Sequence, residues 1–273
     1  MTMRRVLRSL APPILVSALR GRPPEGLQLV GSPTSWAEAA GGAAGYSDPE
    51  ILERVVRATR LVLAGEAEFE RDSVLFKGRE VPLPVVAGIL RAAARDDRRA
   101  HVIDVGGSLG STYRQCRGFL NGLSSLQWDV VEQPTFVAAG RAEFETEELH
   151  FHEAVAEIAV GPVPATLLLS ASLQYLEAPF ELLSSLSAVS SRHLVLDRTP
   201  VSDADADRIY VQIPPPSVYA SSYPSWVFSH NQLIERLAPD WVLVADQLGT
   251  DGRVTAADGL HCEYRAMIFE RRS

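Results

Sequence analysis

Two hydrophobic rhythms divide the chain. In "SDPEILERVVRATRLVLAG", residues 47–65, apolar side chains at Ile51, Leu52, Val55, Val56, Leu61 and Val62 recur at helical spacing. Ser47 or Asp48 can cap this helix, Ser47 with Glu50 can form a capping box, Pro49 suits the first turn and Gly65 supplies the stop. A second helix is predicted from Leu83 to about Ala94, ending in the charged run "RDDRR". Residues 23–46, rich in Gly, Pro, Ser and Ala, read as an irregular linker. Residues 1–98 are therefore expected to form a mostly helical extension that packs as a lid.

From His101 the rhythm becomes short and β-rich: "HVIDV", "QWDVVE", "ELHF", "ATLLLS" and "HLVLD", with helical text between several of them. Strands alternating with helices predict βαβ units and a parallel sheet covered on both faces. The Pro- and aromatic-rich "RIYVQIPPPSVYASSYPSWVFS" breaks the alternation and leads into a helix near Asn231 to Leu237. "WVLVAD" and "EYRAMIFE", separated by a turn-rich stretch, are predicted to pair as a hairpin at the sheet edge. The fold class is α/β, a doubly wound Rossmann-like sheet over residues 99–273 with a C-terminal antiparallel hairpin.

The first strand carries the candidate chemistry. Asp104 ends it, and Gly106, Gly107 and Gly110 follow before a helix begins. In doubly wound sheets, ligands bind at the carboxyl ends of the strands. Glycines there let the backbone turn sharply and approach a ligand without Cβ interference. The register is not G-x-G-x-x-G, which disfavours NAD, and a Walker lysine is absent. "QWDVVE" places Glu132 at the end of the second strand, about 20 residues beyond the loop, where an acid suits a ribose diol.

Composition narrows the partners. Acidic residues outnumber basic ones 34 to 26, for a net charge of -8, which argues against a nucleic-acid partner held by phosphate neutralisation. The isolated cysteines Cys116 and Cys262 form no metal or disulfide motif, so no metal is expected and a reducing, cytoplasmic setting is the default. "MTMRRVLRSLAPPILVSALRGR" has too short an apolar stretch, interrupted by Pro12 and Pro13, to span a bilayer. It reads as an amphipathic helix packed on the domain, with weak membrane-surface contact as the alternative. A homodimer is left open.

"DVGGSLGSTY", "VVEQPTFVAAG", "LLLSASLQYLEAPFELL", "LVLDRTP", "RIYVQIPPPSVYASSYPSW" and the upstream "PPIL" together resemble a bacterial family of class I S-adenosylmethionine (SAM)-dependent methyltransferases, often found beside polysaccharide biosynthesis genes. The resemblance implies a class I methyltransferase-type sheet with SAM as cofactor, and O-methylation of a glycan precursor or a natural-product small molecule. A SAM-binding protein that does not transfer methyl is the alternative. Gly106, Gly107 and Gly110 would line the methionine and ribose parts of the cofactor. Asp104 would lie near its amino group, Glu132 at the ribose diol and Gln133 beside the adenosine. Phe151 and His152 would mark the adenine neighbourhood, unless they are simply a core and a surface residue. Ser108 departs from the family by replacing a second glycine, and can donate its own hydrogen bond.

Ser170 follows the strand whose end commonly lies under the sulfonium, and Gln174 and Tyr175 could orient a substrate hydroxyl. Asp197 is a candidate general base, or pairs with Arg198; His230 is an alternative base, since an unperturbed imidazole titrates near neutrality. Tyr219, Tyr223 and Trp226 offer flat faces to a sugar or an apolar acceptor, or else pack as loop anchors.

Overall fold

The computed structural model describes residues 26–41, 49–159, 161–215 and 222–272. The N-terminal amphipathic pieces, the caps at Ser47 and Asp48, and Tyr219 lie outside the described residues.

Five parallel strands build the centre: β4 (Arg99–Val105), β5 (Ser125–Val131), β6 (Leu149–His152), β7 (Ala165–Ser170) and β8 (Ser191–Ser202), in the order β6-β5-β4-β7-β8. Order reverses at β4, so the carboxyl ends of β4, β5 and β7 meet at the switch point where ligands bind. On the far side, β12 (His261–Arg271) pairs antiparallel with β8, and β11 (Trp241–Thr255) pairs antiparallel with β12. This is the doubly wound sheet, with the C-terminal antiparallel hairpin, expected from the sequence.

Alternation along β4 explains the two layers. Val102 packs with Val55, Val85 and Ile89 on one face, while Ile103 and Val105 join Leu183 and Leu233 on the other. The first face is covered by α2 (Pro49–Leu63) and α3 (Leu83–Ala93), together with α4 (Ser111–Arg117) and α5 (Pro134–Glu143). The second is covered by α6 (Pro179–Leu186) and α7 (His230–Leu237). Because α2 and α3 share one core with the sheet, these two helices are packed into the domain.

The described residues before residue 98 include strands as well as helices. The linker region contains β1 (Gln28–Val30) and α1 (Trp36–Gly41). Beyond α2 comes a hairpin, β2 (Phe69–Arg71) and β3 (Val74–Phe76), turned by Asp72 and Ser73 at φ 50° and 65°. The Pro- and aromatic-rich stretch yields β9 (Arg208–Ile213) and β10 (Tyr223–Ser229), which pair antiparallel, with β1 added to β9. β10 joins the end of β8 at Phe228–Val201 and Ser229–Ser202. Trp36 of α1 stacks on Trp226 of β10, ring centroids 6.0 Å apart. Such long-range pairing overrides the loop-like local composition of these segments. No helix among the described residues is long and apolar enough to cross a membrane.

Candidate functional site

The carboxyl ends of β4, β5, β7 and β8 open into a cavity of about 550 Å³, within the range of small-molecule and cofactor sites. Its floor contains Gly106, Gly107 and Ser108 after β4, Glu132 and Gln133 after β5, and Ser170 to Ser172 at the end of β7. Four of the non-glycine residues held at positive φ line it: Asp72 (50°), Ser108, Ala171 and Arg198 (each 53°). Each such residue costs about 1–3 kcal/mol, a strain that concentrates at functional sites.

Gly106 has φ 77°, and a Cβ on it would lie 2.5 Å from the Cβ of Ser172. The Ser172 hydroxyl donates to the Val105 carbonyl at 2.6 Å, locking the β4 and β7 loops together. A Cβ on Gly107 would lie 2.6 Å from the Asp104 carboxyl. Both glycines are therefore demanded by the protein's own packing. Both also line the cavity.

Asp104 does not line the cavity. It is buried beneath Gly107, with Oδ2 accepting from Trp128 Nε1 at 3.1 Å and Oδ1 without a partner. Burial pushes its carboxyl up to about 7; the Trp128 hydrogen bond opposes this, and the charges of Glu132 and Asp197 add to it. Glu132 does line the cavity, and its Oε2 accepts from the Gln133 N–H at 2.7 Å. Burial raises its carboxyl, against the pull of the Gln133 and Ser108 N–H groups. Gly110, at φ 85°, starts α4 and packs against Leu149 outside the cavity.

Phe151 is fully buried against Gly140, and the ring of His152 lies 2.8 Å from Asp129, which also holds His101 at 2.7 Å. Neither Phe151 nor His152 reaches the cavity wall, whereas the neighbouring Glu153 does.

Tyr175, Arg198 and Tyr223 form much of the roof. Gln212 donates to the hydroxyl oxygens of Tyr175 at 3.0 Å and Tyr223 at 3.2 Å. Burial, then the neighbouring Tyr223 and Asp72, hold the Tyr175 phenol well above its ordinary range. Tyr175 therefore stays protonated, which does not suit it to serve as a base. Gln174 is buried behind the wall, donating to the Arg198 carbonyl at 3.3 Å. Asp197 is also buried behind the wall. Ser170, which lines the cavity, donates its hydroxyl to Asp197 Oδ2 at 2.8 Å. Burial raises the Asp197 carboxyl, against the Ser170 hydrogen bond and the Arg198 charge.

Two predicted residues sit elsewhere. The Trp226 indole donates to the Leu176 carbonyl at 3.0 Å and stacks between Trp36 and Phe228, a packing role. His230 is placed 2.8 Å from Asp246, away from the cavity, so α7 does not deliver a base to it.

The sequence reading missed Glu70, Arg71 and Asp72, which the β2–β3 hairpin brings into the cavity wall. Arg71 contacts Glu80 at 2.5 Å and Asp251 at 3.3 Å, and Asp251 also holds Arg198 at 2.8 Å. Both cavity arginines are thus neutralised by carboxylates. Glu70 and Glu132 are different: both face the cavity, and neither forms an ion pair among the described residues. The unbalanced charge of the site is negative. Among the described residues, no group of three or more His, Cys, Asp or Glu side chains could hold a metal ion.

No protein-family model and no curated protein matches the chain. Among solved structures, it is similar to the 1,6-didemethyltoxoflavin-N1-methyltransferase of Burkholderia thailandensis, with bound 1,6-didemethyltoxoflavin and S-adenosylhomocysteine (TM-score 0.45, 16% identity, 90% of this chain and 95% of that one). It is also similar to the N-terminal domain of EvdMO1 in the presence of S-adenosylhomocysteine and D-fucose (TM-score 0.46, 13% identity, 82% and 100% of the two chains). A third is the glycopeptide N-methyltransferase MtfA complexed with SAM (TM-score 0.42, 13% identity, 67% and 92%).

Proposed function

We propose that the chain is a SAM-dependent methyltransferase acting on a small-molecule acceptor, with O-methylation of a glycan precursor or natural product as the specific reading. The observation that carries it is the charge of the cavity. Glu70 and Glu132 face it without cationic partners, while its arginines are already paired. Carboxylates removed from water without a counter-charge are costly, so the site suits a cationic ligand. A dinucleotide brings a pyrophosphate, which the Glu70 carboxylate would repel.

When bound, SAM would supply an activated methyl group together with its own leaving group. Glu132, fixed by the Gln133 N–H, would accept from the ribose hydroxyls, and Gly106 to Ser108 would lie along the cofactor. Gln133 and Glu153 would flank the adenosine. The protein's remaining tasks are to align the acceptor and remove its proton. Tyr175 would donate a hydrogen bond to the acceptor, and Tyr223 would shape the wall around it. Ser170 Oγ, which donates to Asp197 Oδ2 at 2.8 Å, would take a proton from the acceptor and pass its own to Asp197, so that Asp197 would be the base behind a relay. The β2–β3 hairpin would act as part of the lid.

The test is to incubate the protein with methyl-labelled SAM and a panel of nucleotide sugars, free sugars and phenolic small molecules. Label recovered in an acceptor, with stoichiometric S-adenosylhomocysteine, supports the reading. SAM that binds but never loses its methyl group to any of them counts against it.

A further inference from the structure

Glu70 is a buried cavity-lining acid that the ribose and acceptor assignments leave unused. It is 4% exposed, and it comes from a hairpin before the sheet, with no ion pair among the described residues. One carboxylate oxygen accepts from the Ser111 hydroxyl at the start of α4, and the other from the Ser73 N–H at 3.2 Å. Burial raises its carboxyl, as does the charge of Asp72. Among the described residues, Arg114 is the cation that relieves it, and the Arg114 guanidinium is itself engaged on the Leu109 carbonyl and over the Phe144 ring. A buried carboxylate in this position lacks its counter-charge until a ligand brings one.

The elements around the cavity fix which part of a ligand that would be. Glu132, Gln133 and Glu153 lie past the ends of β5 and β6. Glu70 is held by Ser111 at the start of α4, the helix that the Gly106–Ser108 loop leads into, and Thr112 and Gln115 of that helix also line the cavity. A ligand with its ribose at Glu132 that follows this loop carries its amino-acid end towards α4. Resting on the cofactor reading above, we infer that Glu70 binds the α-ammonium of SAM, so that the N-terminal hairpin completes the cofactor site. The hairpin then has a reason for its strained Asp72–Ser73 turn, since the turn holds Glu70 against α4. Charge-assisted hydrogen bonds of this kind are among the stronger ones.

The experiment is calorimetric titration of wild type, Glu70→Gln and Glu132→Gln with S-adenosylhomocysteine, its deamino analogue and 5′-methylthioadenosine, which lacks the amino-acid part. Wild type should bind S-adenosylhomocysteine roughly ten- to a hundredfold more tightly than the deamino analogue. Glu70→Gln should erase that preference and leave 5′-methylthioadenosine affinity unchanged, whereas Glu132→Gln should weaken all three. Equal wild-type affinity for S-adenosylhomocysteine and its deamino analogue overturns the assignment without any variant having to fold. So does a Glu70→Gln loss shared equally by all three ligands. If wild type binds none of them, the cofactor reading falls and this inference falls with it.

Discussion

The floor and the roof of the cavity are built in opposite ways. The floor comes from strand ends within a βαβ framework: Gly106 to Ser108, Glu132 and Ser170 to Ser172 all follow parallel strands directly. The roof is assembled from distant segments, with Arg71 of the first hairpin and Arg198 of β8 joined through Asp251 of the last. Backbone packing sets the floor, so it should tolerate little substitution. Side-chain pairing sets the roof, so single changes there, Glu70 apart, should cost less and leave cofactor affinity intact.

The largest effect that sharpens this contrast is expected at Gly106. Gly106→Val adds a Cβ at 2.5 Å from Ser172 to a backbone held at φ 77°. Left-handed strain and overpacking together should destabilise the fold by about 4 kcal/mol, seen as a large drop in Tm. A variant with wild-type Tm that merely fails to bind ligand would return the glycine to a ligand-clearance role.

Next comes the buried acid beneath that loop. With its folded pKa raised to about 7 from 3.8, Asp104 keeps a proton in the native state that the unfolded chain loses. Its contribution therefore makes stability fall as pH rises between about 4 and 7, then level off. Asp104→Asn should remove that slope, raising stability at neutral pH relative to wild type by on the order of 3 kcal/mol. Parallel stability–pH curves for the two proteins would mean that Asp104 is ionised normally.

Glu132→Ala should weaken SAM binding by about 1.5–3 kcal/mol, through loss of charge-assisted hydrogen bonds, measured by calorimetry. Unchanged affinity would remove Glu132 from the ribose position.

The smallest effect belongs to the roof. Tyr175→Phe deletes one of the two acceptors of the Gln212 amide and should cost about 1 kcal/mol of stability with no change in SAM affinity. A loss of affinity as large as that of Glu132→Ala would dissolve the distinction between floor and roof.

The same contrast explains what the sequence revealed. The floor was legible because a strand, a glycine loop and a spaced acid are local patterns, and β7 runs from Ala165 to Ser170 as its apolar run predicts. The roof was not. β2 and β3 have three residues each, too few for a period, and their turn uses Asp72 and Ser73 where Asn-Gly or Asp-Gly would have signalled a hairpin. Glu70 and Arg71 therefore carried no mark of function. The seven residues of α4, shorter than its apolar text from Tyr113 to Leu123, likewise depend on packing, as does the Ser170–Asp197 pair, which joins two strands. His230 looked available because its partner Asp246 is supplied by β11, invisible from the helix-start context alone.

The measurement that tests the central claim most directly is calorimetric titration of the wild-type protein with SAM and with NAD. An unbalanced, negatively charged cavity predicts binding of SAM and none of NAD, with SAM affinity weakening as pH falls and the cavity carboxylates take up protons. Binding of NAD with no heat from SAM would contradict the account.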